Sequence, residues 1–456
     1  MTDKNKEAAE LIAQRVGESG GSAYYVGGYV RDRLRGVENK DIDVEVHGIA
    51  PKKLEEILDS VGRRIAVGES FGVYNLKGYS LDIAMPRREN CRGKGHRDFD
   101  ISVDPFIGTR KAAMRRDFTV NALMEDVLTH EITDHFGGID DLKAGILRRV
   151  SDDSFPEDPL RVLRAAQFAA RFGYSVEPET VELCRGMDLS ALPKERVMGE
   201  LEKALLKAPR PSVFFEVLRT MDQLGTWFCE LEKTVGVEQE RAFHGEGDVW
   251  THTVMVLDAA AEYRDRVGDP LGFMLSAVTH DLGKAICTVT ENGRIRSPGH
   301  DAAGVPLAES FVSRLTAQKS LIKYAANMTL LHMLPNMLAS EGASVKATNR
   351  LFDRSDDPEG LIALSVCDDT GRICSYKTGG AEGFLRERLS VYREYMSRPY
   401  VMGKDLIAAG LTPTERFSEY LELSHKLRLA GVSKSEALSQ ILGEARKNGD
   451  LVPRRN

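Results

Sequence analysis

Lys40-Asp41-Ile42-Asp43-Val44-Glu45-Val46 is the stretch that decides how this chain folds. Ile42, Val44 and Val46 alternate with acidic residues, and a period of two marks a β-strand whose aliphatic side chains face a core. The same period puts Asp41 and Asp43 together on the opposite face. Two adjacent carboxylates repel unless a cation sits between them. Magnesium, a hard ion that takes one or two carboxylates along with phosphates, suits such a pair. Just upstream, Val26-Gly27-Gly28-Tyr29-Val30-Arg31-Asp32 supplies a tight turn, where glycine lets backbone amides come close to a triphosphate. Asp-x-Asp by itself is unspecific; with a glycine pair at this distance it becomes a candidate for metal-dependent nucleotide chemistry.

Working outward, residues 1–150 alternate short β-rich runs (23–26, 41–46, 72–76 and 80–84) with helical stretches. They predict an α+β head, a mixed sheet with helices. The Arg92-Gly93-Lys94-Gly95-His96 segment is glycine-rich and polar and has the composition of a mobile loop. Beyond about residue 155 the strand signals fade. Pro159-Leu160-Arg161-Val162-Leu163-Arg164 opens an amphipathic helix, proline being tolerated in a first turn, and helical patterns run from there to the end. Joints are expected at Ala208-Pro209-Arg210-Pro211, at 233–247 and at Ser397-Arg398-Pro399. A chain of 456 residues exceeds one core and predicts two to four domains. The divisions fall at 1–150, 151–232, 233–395 and 396–456.

Composition excludes several classes. With 42% hydrophobic and 29% charged residues, the chain matches a soluble globular protein. No apolar run approaches the 18 or so residues that span a bilayer, and Met1-Thr2-Asp3-Lys4-Asn5-Lys6-Glu7 has no apolar stretch resembling a signal peptide. Cysteines 91, 184, 229, 287, 367 and 374 are scattered without Cys-x-x-Cys, the usage of a reduced, cytoplasmic protein. The net charge of −7 argues against a nucleic-acid partner, but a global sum hides local sign. Between Arg87 and Arg116, nine Lys/Arg face only four acids. Such a stretch either meets phosphates or forms a solvated basic loop.

Further segments join the opening pair. Asp82, in Ser80-Leu81-Asp82-Ile83-Ala84, lies on another predicted strand, as a third carboxylate or as a surface aspartate. In Arg115-Arg116-Asp117-Phe118-Thr119-Val120-Asn121-Ala122 the arginines suit triphosphate charge, and Asp117 with Asn121 suit a ribose; salt bridging at a helix start is the plainer alternative. In Glu157-Asp158-Pro159-Leu160-Arg161-Val162-Leu163-Arg164, residues Asp158, Arg161 and Arg164 are three apart and line one side of a helix entry. An aspartate and an arginine in a fixed fork can read the edge of a base, though an ordinary ion pair has the same spacing. Lys194-Glu195-Arg196-Val197-Met198-Gly199-Glu200-Leu201 is a charged amphipathic helix, unspecific on its own.

In this order, Gly-Gly-x-Val-Arg-Asp, Asp-x-Asp, Arg-Arg-Asp-Phe-x-x-Asn-Ala and Glu-Asp-x-x-Arg resemble the class II tRNA nucleotidyltransferase/poly(A) polymerase family over residues 24–205. The resemblance implies a nucleotidyltransferase head and an all-α neck whose Asp158 and Arg161, supported by Arg164, stand in for a template base and select CTP or ATP. It implies two magnesium ions on Asp41 and Asp43, with Asp82 as a third catalytic carboxylate. Gly27, Gly28, Arg31 and Asp32 would shape the phosphate turn, and Arg116, Asp117 and Asn121 complete the nucleotide site. Ala66-Val67-Gly68-Glu69-Ser70-Phe71-Gly72-Val73-Tyr74 looks like the CCA-adding branch, as does Val401-Met402-Gly403-Lys404-Asp405-Leu406-Ile407 in the tail. There Thr412-Pro413-Thr414 replaces the family's Pro-Gly-Pro-like turn, so that match is partial.

The helical half carries its own cluster. His252, His280-Asp281 in Thr279-His280-Asp281-Leu282-Gly283-Lys284, His300, His332 and Asp368 account for four of the ten histidines. Imidazole with carboxylate suits a borderline transition metal such as Ni, Mn, Co or Zn; a single histidine on an apolar helix is more often a core residue. The order His252, His280-Asp281, Asp368 resembles the HD phosphohydrolase superfamily over residues 235–395, and Phe243-His244-Gly245-Glu246-Gly247-Asp248-Val249-Trp250 is similar to the entry of HD domains fused to bacterial CCA-adding enzymes. The resemblance implies a divalent metal on these four residues, a possible second on His300 and His332, and hydrolysis of 2′,3′-cyclic phosphates or 2′-nucleotides.

The expected activity is therefore CCA addition to the tRNA 3′ end from CTP and ATP, with an appended HD phosphohydrolase, in a monomer or homodimer that binds no membrane. The alternatives are a CC- or A-adding partial enzyme, a poly(A) polymerase, and, from another class, an HD phosphohydrolase whose N-terminal half only binds RNA.

Overall fold

The alternating runs become strands close to where they were expected. In chain order these are β1 (Ser22–Val26), β2 (Ile42–His47), β3 (Arg64–Ile65), β4 (Val73–Leu76), β5 (Leu81–Ala84), β6 (Arg87–Cys91), β7 (Phe99–Val103), β8 (Met124–Asp126) and β9 (Ile132–Thr133). The chain is seen here as a computed structural model that describes residues 2–65, 72–91, 99–374 and 381–451. The Arg92–His96 loop and the Ala66–Phe71 part of the segment resembling the CCA-adding branch lie outside the described residues. Two units are present: Met1–Ala204 with Val213–Thr226, and Leu205–Ser212 with Trp227–Asn456.

In the first unit, seven strands form one mixed sheet in the order β3-β4-β5-β2-β1-β8-β9. β2 and β5 run parallel, and the other pairs are antiparallel. Strands β6 and β7 make a separate antiparallel hairpin. The parallel register sets Asp43 opposite Asp82, so two carboxylates far apart in sequence become neighbours on one face. The aliphatic face does what the alternation requires. Ile42, Val44 and Val46 are at most 1% exposed and pack with Ile12, Leu54 and Leu58 from flanking helices, each contributing about 1.5–3 kcal/mol by burial. Two residues break the alternation: Glu45 and His47, on the polar side of β2, are buried.

The helix Leu160–Phe172 begins directly after Pro159 and ends at Gly173, whose φ of +68° suits a glycine helix stop. Its Phe168 and Phe172 rings stack at 5.5 Å, and Arg31 from the helix Gly28–Leu34 and Arg35 just past its end lie over Phe172 at 4.5 and 4.3 Å.

Past residue 155 the sequence predicted helices alone. Among the described residues three short strands are also present, Ser175–Val176, Val289–Glu291 and Arg294–Arg296. The last two form a hairpin turned by Asn292-Gly293, both with positive φ, the turn chemistry of a two-residue loop. Its strands are largely exposed, so no hydrophobic alternation announces them.

In the second unit, the helices Val249–Ala261, Pro270–Thr279, His300–Leu315, Lys319–Leu331 and Pro358–Thr370 surround the histidine cluster. Two of them start with Asp-Pro-x-Gly: the Asp269 and Asp357 side chains accept from the N–H of Gly272 and Gly360. Near the C-terminus, Val401, Leu406, Leu411, Tyr420, Ala437, Ile441 and Ala445 build a separate small core. Among the described residues no helix is long and apolar enough to cross a membrane.

Candidate active sites

The first candidate site lies at the edge where β1 turns into its helix. Gly27 has φ +65°, and a Cβ there would come 3.2 Å from Arg116 Nη1 and 3.6 Å from Asp43 Oδ2. The turn therefore lies against Asp43 and Arg116, and its positive φ explains why glycine is needed. Asp41 and Asp82 are exposed, and Asp43 is half-buried. Burial, chiefly, pushes the Asp43 carboxyl above its ordinary value; Arg116 opposes that shift, and Asp82 and Asp41 add to it. Crowded carboxylates that resist ionisation are what a divalent cation would relieve.

Beneath them sits buried Glu45. Its carboxylate accepts from Arg116 Nη2 at 3.1 Å and meets His47 Nε2 at 2.9 Å. Burial alone would raise its pKa, but the His47 hydrogen bond and the Arg116 guanidinium hold it below the usual carboxylate range.

Arg31, Asp32, Asp117, Asn121 and Arg164, all expected at the nucleotide site, are wired together. Arg31 donates from Nε to Asp32 at 2.9 Å and from Nη1 to Asn121 Oδ1 at 2.7 Å. Asn121 Nδ2 donates to Asp117 Oδ1 at 2.9 Å, and Arg164 Nε donates to Asp117 Oδ2 at 2.7 Å. Despite full burial, Asp117 is held below the ordinary carboxylate range by Arg164, Asn121 and the Phe118 N–H.

Asp158 and Arg161 do not form a fork with each other. The Asp158 carboxylate accepts two bonds from Arg196, at 3.2 and 2.8 Å, whereas Arg161 donates to the carbonyls of Ser154 and Arg115 at 2.5 and 2.6 Å. Spacing along one helix could not reveal Arg196, which arrives from the helix Lys194–Lys207.

The second candidate site is the cluster of the helical unit. His252, His280, Asp281, His332 and Asp368 are each at most 2% exposed, and His300 is 7% exposed. His280, His300 and His332 each point Nδ1 at the carbonyl three residues back (Ala277, Ser297 and Thr329) at 2.7–2.9 Å. A carbonyl only accepts, so Nδ1 carries the proton and Nε2 turns a lone pair inward. His252 Nδ1 lies 3.0 Å from Glu246 Oε1. The Nε2 atoms converge on two aspartates: His252 is 3.0 Å from Asp368, while His280, His300 and His332 are 3.3–3.5 Å from Asp281. Three overlapping triads, His244/Glu246/His252, His252/His280/Asp281 and Asp281/His300/His332, each gather their ligand atoms within 4.8 Å. His280 Nε2 and Asp281 Oδ1 are buried and make no hydrogen bond. Inward lone pairs, anchored second nitrogens and orphaned buried atoms together fit a metal.

Residues 23–148 match the poly A polymerase head domain model. The multifunctional CCA protein of Halorhodospira halophila is 35% identical over 396 residues, 83% of this chain and 91% of that protein. This chain belongs to the class II CCA-adding enzymes. The multifunctional CCA protein of Methylobacillus flagellatus is 40% identical over 297 residues, 64% of this chain and 69% of its own. Solved CCA-adding enzymes share the fold: an apo form at TM-score 0.69 and 21% identity, covering 97% of this chain and 96% of that one, and the Thermotoga maritima enzyme complexed with tRNA at TM-score 0.64 and 20% identity, covering 96% and 95%. As a nucleotidyltransferase of this class, the chain uses divalent metal ions, generally Mg2+.

The motif reading of this CCA-adding enzyme passed over Glu45 and Arg196 in the head and neck, and over Glu246 and Arg372 beside the histidines. Glu45, Arg196 and Glu246 all lie within motif segments, but nothing in spacing shows that they meet Arg116, Asp158 and His252. Arg372 follows Asp368 by one helical turn, a signal that was available.

Proposed function

We propose that this chain adds CCA to tRNA 3′ ends from CTP and ATP, releasing pyrophosphate, without a nucleic-acid template. The observation that carries this reading is the in-register Asp43–Asp82 pair set against the Gly27 turn and Arg116, in a chain related over most of its length to multifunctional CCA proteins. Asp41, Asp43 and Asp82 would hold the Mg2+ ions. When bound, these ions lower the pKa of the tRNA 3′-hydroxyl and neutralise the triphosphate. The rest falls to the chain itself. Gly27 and Gly28 let the backbone approach the phosphates, and Arg116, aimed by Glu45, offsets developing charge. Arg31, Asp32, Asp117 and Asn121 brace the nucleotide pocket, and Asp158 with Arg161 and Arg164 reads the base.

On this reading, residues 1–150 are a catalytic head, 151–232 a nucleotide-selecting neck, 233–395 an HD domain and 396–456 a tail for tRNA. In the HD domain, His252, His280, Asp281 and Asp368 would hold a divalent transition metal (Ni, Mn, Co or Zn), and His300 with His332 a second through shared Asp281. The reading is a phosphohydrolase for 2′,3′-cyclic phosphates or 2′-nucleotides at damaged RNA ends, in a cytoplasmic protein. The inward Nε2 atoms and the orphaned Asp281 Oδ1 support it.

Primer extension with Mg2+ tests the head. tRNA ending at the discriminator base should gain C, C and A in order, then stop. CTP-only or ATP-only incorporation would make this a partial enzyme, and a long A tail a poly(A) polymerase.

A further inference from the structure

We infer that Arg372 is a substrate-phosphate ligand of the His–Asp cluster, resting on Asp368 until a divalent ion takes up that carboxylate; this rests on reading the cluster as a metal-dependent phosphoesterase. Arg372 follows the helix Pro358–Thr370. Its Nε donates to Asp368 Oδ1 at 3.2 Å and its Nη2 to Asp368 Oδ2, so the guanidinium fork is laid across a carboxylate. A phosphate offers the fork the same pair of oxygens.

Three observations separate Arg372 from an ordinary surface arginine. Its backbone is clamped on both sides. A Cβ on Gly371 would lie 2.7 Å from Val256 Cγ2 and 2.8 Å from Val256 N, and on the other side Ile373 N donates to Glu246 Oε2 at 2.8 Å while its carbonyl accepts from Gly245 N at 2.8 Å. Glu246 is the residue that backs His252, so one segment positions both a metal-ligand candidate and the arginine.

The second observation is access. The Arg372 side chain is 20% exposed, against 3% for Asp368 and 9% for Lys284. Lys284 is spoken for, with Nζ 2.7 Å from Asp281 and 2.8 Å from Gln239 Oε1. Arg372 is the more open of these two cations.

The third is charge and valence. Asp281, Asp368, Asp369 and Glu246 outnumber Lys284 and Arg372, so a divalent ion cancels the excess negative charge that would otherwise repel a phosphate. Asp368 Oδ1 already takes the His252 contact and the Arg372 Nε–H. A cation arriving at this carboxylate competes with the arginine for lone pairs. It frees at least one charged N–H at the open side of the cluster, beside a site whose excess negative charge the ion has cancelled. The ligand class is a phosphate with at least two unesterified oxygens, as in a terminal monoester or a 2′,3′-cyclic phosphate.

The test uses the full chain carrying Asp41→Asn and Asp43→Asn, to remove metal–phosphate binding by the head. It is titrated calorimetrically first with Ni2+ and then, Ni2+-loaded, with inorganic phosphate. Arg372→Met should bind Ni2+ as tightly as the parent or tighter, having lost a competitor for Asp368, and should bind phosphate about 10- to 100-fold more weakly, the worth of a charge-assisted hydrogen bond. Arg372→Gln, which keeps a donor for Asp368, serves should the Met variant not fold, and should show the same loss. Unchanged phosphate affinity overturns the inference and leaves the metal site standing. Loss of Ni2+ binding in step with phosphate binding also overturns it, making Arg372 a support for Asp368. A parent that takes up no Ni2+ removes the metal-site reading, and the inference with it.

Discussion

Glu45→Gln would separate charge from shape at the head site. Glu45 is 8% exposed and joins Arg116 at 3.1 Å to His47 at 2.9 Å. Glutamine fills the same volume but is neutral, and its NH2 cannot accept from Arg116. Breaking a fully buried pair costs about 3–5 kcal/mol. The Arg116 side chain is 32% exposed, so solvent takes over part of its charge, and the exposed-pair value of about 0–1 kcal/mol sets the other limit. We expect about 1–3 kcal/mol of lost stability, between these limits, and a melting point lower by about 3–8 °C. The effect on rate should be the more telling one. Arg116 Nη1 lies where a Gly27 Cβ would meet it at 3.2 Å, with Asp43 Oδ2 also within 4 Å of that point. Losing a positioned charge donor costs roughly 100- to 1,000-fold in kcat; with the arginine present but poorly aimed, about 10- to 100-fold is expected. Single-turnover addition of C to tRNA ending at the discriminator base measures this. Arg116→Lys and the double variant complete a cycle, which should show about 1 kcal/mol or more of coupling. Additive losses, or a wild-type rate in Glu45→Gln, would refute the claim that Glu45 acts by aiming Arg116.

Three further outcomes are expected. Gly27→Ala should lose about 1–3 kcal/mol, because its φ of +65° with ψ of −133° is costly for an L-residue, and should slow C addition; a melting curve and rate equal to wild type would contradict this account of the turn. Asp117 is held low in the folded state, so its stabilisation is complete above the ordinary carboxylate pKa, about 3.9, and is lost as pH falls through the lower folded value. Asp117→Asn should flatten urea midpoints between about pH 2 and 5. Ni2+ at about 100 times its dissociation constant should stabilise the helical unit by about 2.7 kcal/mol; a thermal shift that survives in His280→Ala would place the ion elsewhere.

The fold was legible where a strand had one wet and one dry face. Ile42, Val44 and Val46 announced β2, and Pro159 announced the helix that follows. The exposed hairpin around Asn292-Gly293 escaped notice because neither of its faces is buried. The acid pair and the histidines were visible as residue types, since few side chains suit a hard or a borderline cation. Their partners were not. Glu45 reads as one more acid in an alternating strand until the fold brings Arg116 to it, 71 residues away. Arg196 meets Asp158 across 38 residues, a distance that helical spacing cannot cover. Spacing shows what one element presents; which element faces it is a property of packing.

The chain of bonds from Asp32 through Arg31, Asn121 and Asp117 to Arg164 crosses from the β1 turn to the helix Leu160–Phe172 without a solvent gap, and Arg31 is further seated on Phe172. On the proposed function, this chain couples the place where a phosphate bond is broken to the place where a base is chosen. The two act as parts of one gauge block. A lapse in either would be felt by the other, so lesions along this seam should first appear as errors of incorporation and only later as loss of speed.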